Sequence, residues 1–98
     1  MNSGPQHLAV STVQLENDRV KVTEWRFAPG ASTGWHRHQF DYVIVPMTTG
    51  RLCVDDGREQ RMAELTAGKA YCGSLGIEHD VTNASDHEFV FLEVELKA

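Results

Sequence analysis

The sequence predicts an all-β domain, a sandwich or barrel of short antiparallel strands, on three observations. Strand-like runs recur at spacings near ten residues with Gly, Pro, Asn and Asp between them. No long segment shows a helical hydrophobic period. The tetrapeptide Trp35-His36-Arg37-His38 sets two histidines two residues apart, which share a face on a strand and point apart on a helix. At 98 residues with 41% hydrophobic content, the chain suits one core, burying roughly 60 to 65% of its unfolded surface. We expect an N-terminal arm over 1–10 and a single domain over 11–98.

Taken in order, the arm is polar with one Pro and one Gly, and its His7 carries no assigned role. From Ser11 the chain alternates through Val13 and Leu15, and Asn17-Asp18 marks a turn. Val20-Lys21-Val22-Thr23 alternates again and continues through Trp25-Arg26-Phe27 to the stop at Ala28-Pro29-Gly30. Glu24 and Arg26 share one face, with the register leaving open whether it is the inner one. Pro29 to Gly34 form a loop into the histidine strand, which is expected to run on through Tyr42-Val43-Ile44-Val45 before Pro46 and Gly50 end it.

Leu52-Cys53-Val54 form the next strand, followed by Asp55-Asp56-Gly57. Asp-Gly between strand-like runs signals a two-residue hairpin turn with both central residues at positive φ, leaving a polar return from Arg58 to Arg61. Leu65 to Gly68 turn into Ala70-Tyr71-Cys72. After Gly73-Ser74-Leu75-Gly76, His79 opens the strand Val81-Thr82-Asn83. The last strand, Phe89 to Leu96, is apolar in its first half and alternates in its second.

A net charge of −5 with nine scattered Lys and Arg argues against a nucleic-acid partner, which needs clustered cations. No apolar run reaches membrane-spanning length, and Met1 to Pro5 lack the basic and apolar regions of a leader, so a cytoplasmic protein with no membrane partner is expected. Cys53 and Cys72 form no C-x-x-C pair and are expected to be buried small hydrophobes.

The histidines carry the chemistry. His36 and His38 on one strand face have Cα atoms about 7 Å apart, which lets both imidazoles reach one ion through bonds of about 2.1 Å. His79 from a distant strand would complete a facial triad with positions open for a small-molecule substrate. On these residues alone, unconnected surface histidines stay an alternative.

Both histidine regions resemble the motifs of the cupins, small double-stranded β-helix or jelly-roll barrels. The first cupin motif, G-x5-H-x-H-x3/4-E-x6-G, is met by Gly30, His36, His38 and Gly50. The second, G-x5-P-x-G-x2-H-x3-N, is met by Gly68, Gly76, His79 and Asn83, with Ser74 in place of Pro. The resemblance implies a jelly roll whose His36, His38 and His79 bind one divalent transition metal, Fe2+ or Zn2+ first, with Ni2+, Cu2+ or Mn2+ as further options.

The motif's Glu ligand would fall at Tyr42 or Val43, so the carboxylate is missing. Strict alternation puts Asp41 on the opposite face unless a bulge brings it in, and gives Tyr42 the inward parity of His36 and His38. Three neutral imidazoles leave the full 2+ charge on the ion, which favours an anionic, bidentate oxygen ligand. The pattern is similar to that of cupins that cleave β-diketones by dioxygenation on iron; on zinc, hydrolytic cleavage would suit the same chelation. Tyr42, Arg26, Glu93 and Phe91 are the expected pocket residues.

Two alternatives are a non-catalytic binding cupin and a sugar or acid isomerase. The latter would need an acid/base pair such as His87 and Glu88, in a segment that otherwise reads as a solvated loop. Trp25, Trp35 and Phe40 are expected in packing, Asn83 in a structural role, and Gly68 and Gly76 in tight turns. Cupins of this size commonly form homodimers, and the final or the first strand is expected to supply the interface.

Overall fold

Nine strands form among residues 7–97, which are those described by the computed structural model. They are β1 (Val10–Glu16), β2 (Val20–Phe27), β3 (His36–Arg37), β4 (Asp41–Pro46), β5 (Gly50–Asp55), β6 (Gln60–Leu65), β7 (Tyr71–Gly73), β8 (Glu78–Asn83) and β9 (Phe89–Leu96). All pairing between them is antiparallel, in a five-stranded sheet ordered β1-β2-β9-β4-β7 and a four-stranded sheet ordered β3-β8-β5-β6. This is the jelly roll the motifs imply. The cause is the two-residue period: on β2 Thr23 and Phe27 are buried while Arg26 is exposed, and on β4 Tyr42, Ile44 and Pro46 alternate with more exposed neighbours. The inward residues Phe27, Ile44, Leu52, Val54, Val81, Phe89 and Phe91 form the core between the sheets. Phe27 and Phe91 pack with ring centroids 5.4 Å apart, and each such buried side chain contributes about 1.5 to 3 kcal/mol.

The histidine strand is not the continuous run the sequence predicts. β3 holds only His36 and Arg37 and belongs to the four-stranded sheet, whereas β4 starts at Asp41 in the five-stranded one. Hydrogen bonds pin the corner between them: His38 N donates to Ile77 O (2.9 Å), and Gly76 N donates to His38 O (2.9 Å). Asp41 Oδ1 then accepts from Leu75 N at 2.9 Å. The loop before β8 thus takes over the pairing that a straight strand would have made.

The turn at Asp55-Asp56-Gly57 also differs. β5 ends at Asp55 and β6 begins at Gln60, and of the loop residues only Gly57 has positive φ (92°). Asp56 Oδ1 accepts from Arg58 N (2.9 Å) and Glu59 N (3.0 Å), so its side chain makes an Asx turn instead of entering the left-handed region. The final strand, one of the two candidates for a dimer interface, lies inside its sheet. β9 lies between β2 and β4 with both edges hydrogen-bonded, which leaves β1 as the edge strand on that side.

Of the expected arm, residues 1–6 lie outside the described residues. The next residues run beside Ser32: Ala9 N donates to Ser32 O (2.8 Å), Ser32 N donates to His7 O (3.1 Å), and residue 10 already belongs to β1. Asn83, almost wholly buried, closes β8. Its Nδ2 donates to Phe27 O (3.2 Å), Ala28 O (3.4 Å) and His87 O (2.8 Å), and its Oδ1 accepts from Ser85 N (2.9 Å). Its expected structural role is tying the β2 exit to the loop before β9.

Gly73 is fixed by close approach. It faces Tyr42 across the β4–β7 pair, and a Cβ there would lie 2.2 Å from Tyr42 Cζ. The missing side chain leaves space for the Tyr42 ring to lie flat over the interior.

Candidate metal centre

Cross-strand register assembles the first two histidines, because His36 on β3 is the direct partner of His79 on β8. The corner after Arg37 then swings His38 to the same point. His36 Nε2 lies 3.1 Å from His38 Nε2, which lies 3.0 Å from His79 Nε2, and the potential ligand atoms of the three all fall within 4.8 Å of one another. Tyr42 stacks on the His38 ring at 3.8 Å between centroids and 17° between planes, and holds its orientation.

The partners of the far nitrogens assign the tautomers. His36 Nδ1 is 2.9 Å from Gly34 O, which can only accept, so Nδ1 carries the hydrogen and Nε2 presents a lone pair. Thr33 Oγ1, 3.2 Å from the same Nδ1, accepts from Val81 N and fixes the loop against β8. His38 Nδ1 lies 3.5 Å from Glu93 Oε2, which again favours hydrogen on Nδ1 and a lone pair on Nε2. Two lone pairs facing each other at 3.1 Å repel unless a cation lies between them. Donors at right angles around an ion, each about 2.1 Å from it, stand about 3.0 Å apart, so the triad fits three adjacent positions on one divalent transition ion.

Electrostatics keep the triad in its metal-ready form. Burial, followed by the charges of the neighbouring histidines, pushes His38 down to about 4; burial also pushes His79 down to about 4, with His36 and then Arg61 adding to the effect. Both rings are neutral at pH 7. Burial pushes the Tyr42 phenol up to about 12, helped by Tyr71 and Glu93, so its hydroxyl stays a hydrogen-bond donor. Burial likewise raises the Glu93 carboxyl, opposed by the Trp25 indole, whose Nε1–H donates to Oε1 at 3.3 Å.

The triad opens into a cavity of about 580 Å³ between the two sheets, and Tyr42, Phe91 and Glu93 are among the residues that line it. Arg26 is not. It projects from the outer face of β2, where Nη1 donates to Glu88 Oε1 (2.8 Å) and Nη2 reaches Glu24 Oε1 (3.5 Å), so the even-numbered face of that strand is the outer one. Asp41 is exposed and turned to the Leu75 amide, with no bulge to bring it inward. His87 and Glu88 are exposed on the loop before β9, His87 Nε2 bonding to Thr49 O (2.9 Å), and neither lines the cavity. The cysteines are not the buried hydrophobes expected: Cys53 is half-buried, alternating on β5 with the buried Leu52 and Val54, and Cys72 is exposed among the residues that line the cavity.

Lys21, Arg61 and Tyr71 also line the cavity, and the sequence reading passed over them. The signal for Arg61 was available. Arg61, Ala63 and Leu65 alternate on β6, but taking 58–61 as a polar return hid that strand's start.

Barrel and triad together define a small single-barrel cupin. The chain belongs to this family: the cupin domain model matches residues 23–95. It is 56% identical over 97 residues to the beta-alanine degradation protein BauB of Pseudomonas aeruginosa, covering 99% of this chain and 100% of that protein. Among solved structures it resembles a cupin domain from Bordetella pertussis, with a TM-score of 0.94 and 53% identity over 98% of this chain and 100% of the other. A double-stranded β-helix protein from Klebsiella pneumoniae, 21% identical with a TM-score of 0.77 over 96% of this chain and 81% of its own, shares the fold. No described helix is long and apolar enough to cross a membrane.

Proposed function

We propose that this protein is a metal-dependent cupin enzyme whose His36, His38 and His79 hold one divalent ion, and whose substrate is a small enolisable dicarbonyl bound through two oxygens. The observation that carries this reading is the convergence of the three imidazoles: His38 Nε2 lies 3.1 Å from His36 Nε2 and 3.0 Å from His79 Nε2, and the ligand atoms of all three fall within 4.8 Å of one another. A bound ion would supply a Lewis acid for the chelating oxygens and, as iron, access to dioxygen or, as zinc, an acidified water. With no carboxylate ligand, the site suits an anionic chelator.

The protein's own groups do the rest. The Tyr42 hydroxyl, protonated at neutral pH, offers a donor beside the ion. Glu93 holds the His38 tautomer and presents a carboxyl to the cavity. Phe91, Ile44 and Val81 exclude water from one side of the chelate. The BauB relative's name supports a substrate choice. A 3-amino acid that passes its amino group to a 2-oxo acid acceptor by transamination becomes a 3-oxo acid, an enolisable dicarbonyl able to chelate through its oxo and carboxylate oxygens. Cleavage of its carbon–carbon bond, by dioxygenation or hydrolysis, is the reaction we assign. The reading includes a cytoplasmic location and a homodimer built on β1.

Elemental analysis of protein purified without a metal-affinity tag tests the centre. Near-stoichiometric iron or zinc is expected in the wild type, with loss of at least 90% in His36→Ala and His79→Ala variants that keep the β circular-dichroism spectrum. Oxygen uptake by the iron form, or acid release by the zinc form, with a 3-oxo acid or acetylacetone then tests the reaction. Metal retained in both variants would overturn the site.

A further inference from the structure

Arg61 stands on β6 opposite Val54, on the same inward-facing series as Ala63 and Leu65, and lines the cavity. Of the other cations, Arg51 pairs with Glu64, Arg26 with Glu88 and Glu24, and Lys97 with Glu16, while Arg37, which also lines the cavity, faces Glu78 across the β3–β8 pair. Lys21, which also lines the cavity, faces Glu95 across the β2–β9 pair and acts on the Glu93 carboxyl. Arg61 has no carboxylate partner among the described residues. The groups its charge reaches are Tyr42, Tyr71 and His79, all neutral at pH 7 and all at the candidate centre.

We infer that Arg61 is the substrate's anion anchor: its guanidinium takes a carboxylate of the molecule chelated at the His36/His38/His79 centre, which makes this a site for oxo acids and not for uncharged diketones. A cation with no protein counter-ion, exposed at the lining of a cavity beside a centre with open positions, is matched by an anionic group on the ligand. Arginine suits that task because its guanidinium stays charged at every working pH and presents its donors in a fixed plane, so that it can reach the carboxylate oxygen the ion leaves free. A 3-oxo acid can offer its oxo oxygen and one carboxylate oxygen to the ion and its other carboxylate oxygen to Arg61. The role is specificity and orientation.

This inference rests on the metal-centre reading, and the test separates the two. Zinc-loaded protein is titrated calorimetrically at pH 7 with malonate, a chelator bearing carboxylates, and with acetylacetone, a chelator of the same ring size without one. For Arg61→Gln we expect malonate to bind at least 10-fold more weakly, in line with the loss of a charge-assisted hydrogen bond. Acetylacetone and zinc itself should change by less than twofold, and Arg61→Lys should recover part of the malonate loss. Unchanged malonate binding, equal loss for both chelators, or wild-type binding of acetylacetone without malonate would overturn the anchor while leaving the centre standing. Zinc-loaded wild-type protein that binds neither chelator would overturn the chelator reading and the anchor with it.

Discussion

His38 is almost wholly buried, flanked by two imidazoles and Tyr42, and this crowding makes the triad sensitive to protons. Without metal, His38 and His79 titrate near 4 in the fold and near 6.5 when unfolded. Between those values the unfolded chain takes up protons that the folded one refuses, so stability is lost as pH falls through the window and is level above it. After allowance for coupling among the rings, the loss amounts to about 2 kcal/mol, or several degrees in the melting temperature. Thermal melts of metal-free protein from pH 7.5 to 4.5 should show this decline, and a His38→Gln/His79→Gln variant should flatten it. A wild-type melting temperature constant over that range would contradict the assignment. The same geometry explains what was readable at this scale. The i, i+2 histidines and the motif that brings His79 to them depend on local spacing, which a sequence displays. Whether Arg26 or Arg61 faces inward depends on the register of a strand against its neighbours, which it does not.

Elements were legible where their boundaries are set by the residues inside them. β2, β8 and β9 fall where alternation and the flanking Gly, Pro and Asn place them. The departures occur where a tertiary hydrogen bond competes with local preference. The histidine run breaks after Arg37 because the 74–77 loop offers partners to the His38 backbone, and Asp56 turns by its own carboxylate. Asn83 shows how much one such partner is worth. It satisfies three carbonyls and one amide from a buried position, so Asn83→Ala would strand those groups in the interior. We expect a destabilisation of about 3 kcal/mol in urea unfolding. His79 sits four residues away on β8, about 13 Å along the strand, so zinc affinity of the folded variant should stay within about threefold. An unfolding midpoint like the wild type's would show that water replaces the amide without cost.

The molecule is elongated, with extents of 44 × 26 × 23 Å, and the cupin model's match begins at residue 23, after β1. β1 is also the element with least to hold it. It is hydrogen-bonded along one edge only, every residue is exposed, and Val10, Val13 and Leu15 are 61%, 51% and 53% exposed. The register shift between Val13 and Leu15 divides its apolar side chains between faces: Val13 opposes the inward Thr23 and lines the cavity, while Leu15 opposes Val22. A strand apolar on both faces with a free edge is costly in water and prone to pairing. Folding does not require β1 to be apolar, since a polar edge strand would pair with β2 equally well, so its composition argues for a second copy covering it. Light scattering at micromolar concentration should therefore give twice the 11.0 kDa chain mass. Leu15→Lys should shift the protein toward monomer by at least 10-fold in dimer dissociation constant, with the β circular-dichroism spectrum intact. A wild-type monomer at these concentrations would mean that β1 is apolar for the cavity's sake alone, and ligand affinity, not assembly, would then be what Val13→Ser changes.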